Sequence, residues 1–124
     1  EKLSEDKDAD QKLDSDFAEH LHGRGKLDDE VIQKAMEKNR RSFVIRALAL
    51  KAGRKEEAVE RIMAMRNGKA TTALVHQAGL SMRTALLVQQ RIARVPPHEL
   101  LAARNGVDYP MTPEELEMQI AHIG

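Results

Sequence analysis

The chain predicts an all-α protein, a compact multi-helix bundle or short α-solenoid of about seven helices around a central apolar helix. Three observations carry this. Phe17, Phe43 and Tyr109 are the whole aromatic set and Trp is absent, so the core must be built from Leu, Ile, Val, Met and Ala. That mixture suits packed helices better than sheets, where aromatic and β-branched side chains are favoured. Second, Ser42 to Ala52 (SFVIRALALKA) is interrupted only by Arg46 and Lys51, five residues and about 140° apart on a helical wheel. No broad polar face remains, and a helix apolar nearly all round is one that its neighbours enclose. Third, capping residues and glycines recur at helical intervals along the rest of the chain.

With 124 residues and 13.9 kDa, one core suffices. Residues 1–12 alternate charges around Leu3 and Ala9 and read as a charged linker or frayed helix; residues 13–124 read as a single helical domain. Leu13, Phe17 and Leu21 form a narrow stripe at i, i+4, i+8, predicting a short helix that ends at Gly23 or Gly25. Asp28 is an N-cap for a helix over about Asp29 to Lys38, with Leu27 and Ile32 placed as a hydrophobic staple and Val31, Ile32, Ala35 and Met36 inward. Asn39 to Arg41 break before the central helix, and Gly53 stops it. Lys55 to Arg66 is amphipathic, with Ala58, Val59, Ile62 and Met63 opposite Glu56, Glu57, Glu60 and Arg61. Asn67 and Gly68 close that segment, and a small-residue helix over Ala70 to Ala78 ends at Gly79. Ser81 caps a helix over Met82 to about Arg94, which Pro96 and Pro97 terminate because neither supplies a backbone donor. A brief helical turn is expected over His98 to Arg104. Thr112, Pro113 and Glu115 then set a capping box with proline at the first helical position, leaving Leu116, Ile120 and Ile123 on the buried side.

The endings at Gly53 and Gly79 are separated by the length of one helical hairpin, as in a repeated unit of the kind that stacks into a solenoid. Unrelated hairpins would share that spacing.

The net charge is zero but unevenly spread. Residues 1–38 carry 12 acids and 7 bases, residues 39–105 carry 4 acids and 13 bases, and the remainder 4 acids and no base. Either the acidic ends cover the basic middle, or the middle offers a cationic surface to an acidic partner. Without Cys, disulfides, thiolate metal sites and a Cys nucleophile are excluded. No run approaches the length of a membrane span and nothing at the start resembles a signal peptide, so a cytoplasmic location is expected. A start at Glu1 rather than Met points to a fragment or a processed chain.

GKLDDEVIQKAM at Gly25 to Met36, FVIRALALKAG at Phe43 to Gly53, EEAVERIM at Glu56 to Met63, ALVHQAGLS at Ala73 to Ser81 and the closing TPEELE resemble the bacterial family catalogued as domain of unknown function 2336, whose members look helical and HEAT-repeat-like. The resemblance covers about Arg24 to the C-terminus and implies that the chain is the C-terminal portion of a longer helical protein. It departs at Arg54-Lys55, where a more apolar pair is implied. These are packing and turn positions, and the resemblance implies no enzymatic activity, cofactor or catalytic residue.

The residues themselves decide among several chemistries. Ala49, Gly53, Val59 and Ile62 fit a DNA-binding helix-turn-helix, but Glu56, Glu57 and Glu60 would face phosphate with like charge. The second copy, around Gly79, Ala85 and Val88, is chemically acceptable, with Ser81, Arg83 and Thr84 leading the helix. Arg83, Gln90 and Arg94 at i, i+7 and i+11, with Arg91 beside them and Leu87 between, form a basic face with an apolar centre. It is either a plain solvated face or a dock for an acidic protein. His20 and His22 diverge around a helix, and His76, His98 and His122 lack a second ligand at metal spacing. Ser4, Ser15, Ser42 and Ser81 lack a nucleophile motif. Asp28, Asp29 and Glu30 suit a helix N-terminus, and Glu5 and Asp6 have no apolar pocket to raise a pKa. The reading is a non-enzymatic protein-interaction or scaffolding module without cofactor, metal or membrane contact, its partner acidic and its candidate residues Arg83, Leu87, Gln90, Arg91 and Arg94. The alternative is a DNA-binding regulator using residues 81–94.

Overall fold

Local capping sets most of the helix starts. In the computed structural model, which describes the backbone of residues 2–121 and the side chains of residues 12–121, the Asp28 carboxylate accepts from Val31 N at 3.0 Å and Ser81 Oγ from Thr84 N at 3.3 Å. Thr112 and Glu115 cap reciprocally, at 3.0 and 3.1 Å. The elements are α1 (Lys2–Gly23), α2 (Asp29–Glu37), α3 (Arg41–Ala52), α4 (Glu56–Met65), α5 (Gly68–Gln77), α6 (Met82–Arg91), a 3₁₀ turn (Pro97–Glu99) and α7 (Pro113–Ala121). Among the described residues the only β-type pairing is an isolated antiparallel bridge, Arg104 to Asp108. The fold is an all-α bundle. Readings that rest on the side chains of Leu3, Ser4, Glu5, Asp6, Ala9, His122 and Ile123 lie outside the described residues.

Enclosure of α3 organises the bundle. α1, α2, α4 and α5 all pack on it, α2 also reaches α6, and α5 carries α6 and α7. Phe43, Val44, Ile45, Ala47, Leu48 and Ala49 are buried, and only Arg41 of the helix's twelve residues is exposed. A satellite cluster of Ala73, Met111 and Leu116, with Ile120 half-buried against it, seats α7 on α5.

One helix ending is used four times. Lys26, Arg40, Arg54 and Leu80 each donate their N–H to the carbonyl five residues back (Leu21, Ala35, Ala49, Val75) at 2.8–3.2 Å. The intervening Gly25, Asn39, Gly53 and Gly79 all have positive φ, as the Schellman ending requires. The echo between Gly53 and Gly79 is therefore a general stop signal of this chain and does not by itself mark a repeat.

Four boundaries differ from the sequence expectation. The helical backbone of α1 starts at Lys2, well before Leu13, and its stripe is not in the core: Leu13 is 64% and Phe17 56% exposed, while Asp14 and Ala18 are buried. Gly68 opens α5 instead of closing α4; Arg66 (φ 51°) ends α4, and Asn67 caps α5 by accepting from Ala70 N at 3.0 Å. α6 stops at Arg91: Ala93 N bonds back to Val88 O and Val95 N to Gln89 O, both at 2.9 Å, and Arg94 turns left-handed at φ 53°. Beyond the 3₁₀ turn, Leu100 to Arg104 is not helical, because the buried Gln89 side chain grips the Leu101 backbone on both sides, N–H and C=O each at 2.9 Å.

The same grip explains Gly68. A Cβ there would lie 2.5 Å from the Glu99 carbonyl and 3.0 Å from Gln89 Oε1, so the loop can approach α5 only over a hydrogen. Gly68→Ala is expected to cost about 1–3 kcal/mol as an overpacking substitution, despite the better helix propensity of Ala, and to lower the thermal midpoint. A midpoint equal to or above that of the wild type would show that loop and helix part without cost.

Candidate functional site

The basic middle of the chain divides into arginines that are neutralised inside the fold and arginines that are not. Arg40 pairs with Asp14, Arg46 with Glu19 and, at 3.6 Å, with Glu56, and Arg41 makes a two-pronged contact with Glu60 at 2.7 and 2.9 Å. Arg54 donates to Gln77 Oε1 at 2.6 Å, and Arg66 to the Arg94 carbonyl at 2.9 Å. Arg83, Arg91 and Arg94 make no ion pair among the described residues. The acidic N-terminal part thus covers some of the basic middle, α1 pairing with Arg40 and Arg46, while α6 itself carries arginines and no acid.

Helical spacing decides which face of α6 is left. Met82, Thr84, Ala85, Val88 and Gln89 are buried, while Arg83, Gln90 and Arg91 are exposed around half-buried Leu86 and Leu87. No acid lies on α6, whereas α4 holds Arg61 among Glu56, Glu57 and Glu60. Four of the five candidate residues therefore share one face: Arg83, Leu87, Gln90 and Arg91. Leu87 is partly packed against the core and is less exposed than its place between arginines suggests. Arg94 lies past the helix end and lines a separate groove with Arg41, Glu60 and Arg66.

The first turn of α6 is occupied from within. Asp29, at the start of α2, accepts from Ser81 N and Ser81 Oγ, both at 2.9 Å, and from the Thr84 hydroxyl; Gln33 Nε2 donates to Thr84 Oγ1 at 3.0 Å. Partial burial pushes the Asp29 carboxyl up, but the bonds from Thr84 and Ser81, with the charge of Lys51, outweigh it and hold the group below the ordinary carboxylate range. A carboxylate at a helix N-terminus is favourable. It also places a negative charge and the body of α2 where a recognition helix would meet phosphates and base edges. Next to this cap, the Tyr109 hydroxyl donates to Leu80 O at 2.6 Å, and its ring meets His76 edge-on at 4.8 Å. Burial, then the charge of Asp29, pushes the phenol pKa up.

Of two polar residues central to this region, Asp29 and Gln89, only the second is evident from local sequence. Asp29 reads as an acid for its own helix start, and nothing near it signals a cap on a helix so far along the chain. Gln89 was detectable, because it falls four residues after Ala85 and three before Ile92, both inward-facing. Among the described residues no three His, Cys, Asp or Glu side chains gather as a metal site would require, and no helix is long and apolar enough to cross a membrane.

A family model described as an uncharacterised protein conserved in bacteria (DUF2336) matches residues 1–115. The match takes in α1, upstream of the Arg24 boundary drawn from motifs, and ends three residues into α7. No curated protein and no solved structure matches.

Because the folded pKa of Asp29 is depressed, its contribution is fully present above the unfolded carboxyl value of roughly 3.9 and is lost as the pH falls through the folded value. Asp29→Ala is expected to remove about 1–2 kcal/mol at neutral pH. In urea melts across a pH series, the gap between variant and wild type should close below about pH 4. A gap independent of pH would assign the loss to packing instead.

Proposed function

The chain belongs to the bacterial family DUF2336, and from that premise we propose that it is a non-enzymatic interaction module of the bacterial cytoplasm that docks an acidic protein on the exposed face of α6. The observation that carries this reading is the contrast among arginines. Arg40, Arg41 and Arg46 are matched by carboxylates of the same chain, while among the described residues Arg83 and Arg91 make no ion pair and α6 itself carries no acid. Arginines flanking an apolar centre supply bidentate donors and a dry contact together, the combination that concentrates binding energy at interfaces. Leu86 and Leu87, half-buried, give that centre a fixed base. The hairpins α3–α4 and α5–α6, with α5 packed on both α3 and α4, support reading the domain as a short HEAT-like stack that presents this face rigidly.

The first turn of α6 counts against duplex DNA as the ligand, since Asp29 and α2 already occupy it. The remaining surface suits a protein with surface carboxylates.

Arg83→Glu/Arg91→Glu, two exposed positions, should leave the melting temperature nearly unchanged and weaken capture of the wild-type chain's acidic partner roughly tenfold or more. Wild-type capture should also fall with added salt, and no duplex DNA should be retained. Equal capture by the variant would make the α6 face idle, and salt-sensitive retention of duplex DNA would replace this reading with a nucleic-acid one.

A further inference from the structure

The C-terminal ends of α4 and α6 meet at an open groove of about 450 Å³, whose lining includes Arg41, Glu60, Met63, Arg66, Ile92 and Arg94. That volume falls within the range of small-ligand clefts, roughly 300–1,000 Å³. Met63 and Ile92 are buried and supply its apolar part, while the four charged residues are exposed.

The backbone singles out two of these arginines. Among the described residues, the non-glycine positions with positive φ are Asn39, Asn105, Arg66 and Arg94. Asparagine tolerates the left-handed region, whereas arginine holds it at a cost that glycine would not bear. Both left-handed arginines line this one groove. They are also tied together: Arg66 Nε donates to the Arg94 carbonyl at 2.9 Å, which steadies the first guanidinium against the turn that carries the second. The rest of the Arg66 guanidinium, and all of that of Arg94, makes no hydrogen bond or ion pair among the described residues.

Arg41 shows what those two lack. It holds Glu60 by two bonds, at 2.7 and 2.9 Å, so the carboxylate of the lining is already matched. Three guanidiniums against one carboxylate leave the groove with two positive charges in excess. A guanidinium offers a planar fork that fits the oxygens of either a carboxylate or a phosphate. Charge decides between them. A phosphate monoester carries about −1.5 to −2 at pH 7 and three acceptor oxygens, enough for both open forks, whereas a carboxylate brings a single charge and suits one.

We propose that this groove binds the dianionic phosphate of a monoester, held by the forks of Arg66 and Arg94 beside the Arg41–Glu60 pair. Titrating the ¹⁵N-labelled chain with methyl phosphate should shift the amide signals of Ala64 and Ala93, which also line the groove, with a dissociation constant on the order of 1 mM. Arg94→Gln should weaken that binding roughly tenfold at an unchanged thermal midpoint. Arg66→Gln should weaken it as much, and the Arg94 variant keeps the test clear of the Arg66 contact with the turn. Affinity for methyl phosphate should rise as the pH passes the second ionisation of a monoester, about 6, while sulfate, a dianion throughout, binds equally on both sides of it; arginine keeps its charge over this range. Acetate should bind at least about tenfold more weakly than methyl phosphate. A phosphoserine peptide that binds more tightly than methyl phosphate makes a protein the carrier of the group, and equal affinity makes it a small ester. Arg83→Glu/Arg91→Glu should leave methyl phosphate binding unchanged, so this groove and the α6 dock fail separately. The absence of a saturable shift, binding unaltered by Arg94→Gln in a folded chain, or acetate equal to methyl phosphate overturns the proposal.

Discussion

A helix with no polar side has to be surrounded, and α3 imposes that requirement on the rest of the chain. Its buried residues spread over about 240° of the circumference, with half-buried Ser42, Arg46 and Leu50 on the rest, so one packed neighbour could never cover them. Four helices are needed, and the contacts of α1, α2, α4 and α5 supply them. Arg46 is the difficulty in this arrangement, because its side chain is only 24% exposed and a guanidinium at such depth needs a carboxylate close by. Glu19 comes from α1 and Glu56 from α4, so the two helices that flank the charge also neutralise it. The acidic character of the N-terminal third is thus part of how the apolar helix is covered, and only the basic residues beyond its reach stay available for recognition.

What could be read in the sequence follows the range of the interactions. Helix starts at Asp28, Ser81 and Thr112 and stops at Gly53 and Gly79 depend on residues within five positions, and they fall where local chemistry puts them. The enclosure of Phe43 to Ala49 was legible for a related reason, since composition alone leaves that segment no exposed face. The errors lie where a distant partner overrides local preference. Gly68 looks like a stop and acts as a contact point for the distant loop at Glu99. Leu100 to Arg104 looks helical and is pulled straight by Gln89. Arg94 is in phase with Arg83 on a helix that ends before reaching it, so one of the five candidate residues left the face to which spacing assigned it. The other four remained because α6 keeps its register through Arg91.

Asp29 illustrates the same limit in the candidate site. Its role joins the start of α2 to the start of α6, two helices with no local signal in common, and its consequence is functional: the end of α6 that a helix-turn-helix would offer to DNA is already filled. The arginines of α6 that remain exposed are Arg83 in its first turn and Arg91 at its last position.

The exposure of Phe17 has a physical cause as well. Turning α1 by one residue, about 100°, would bring Phe17 toward α3 and recover roughly 1.5–3 kcal/mol of apolar burial. The same turn would carry Glu19 away from Arg46 and Asp14 away from Arg40. Each pair joins a sheltered group, Asp14 or Arg46, to one about half exposed, so the turn would leave two sheltered charges without their counter-ions, which disfavours it. Ala18 completes the preference, because its small side chain, fully buried, lets the two helices approach closely enough for both pairs to form. Neutralising the arginines around the central helix therefore fixes the rotation of α1, and that rotation leaves an apolar stripe outside the protomer's own core.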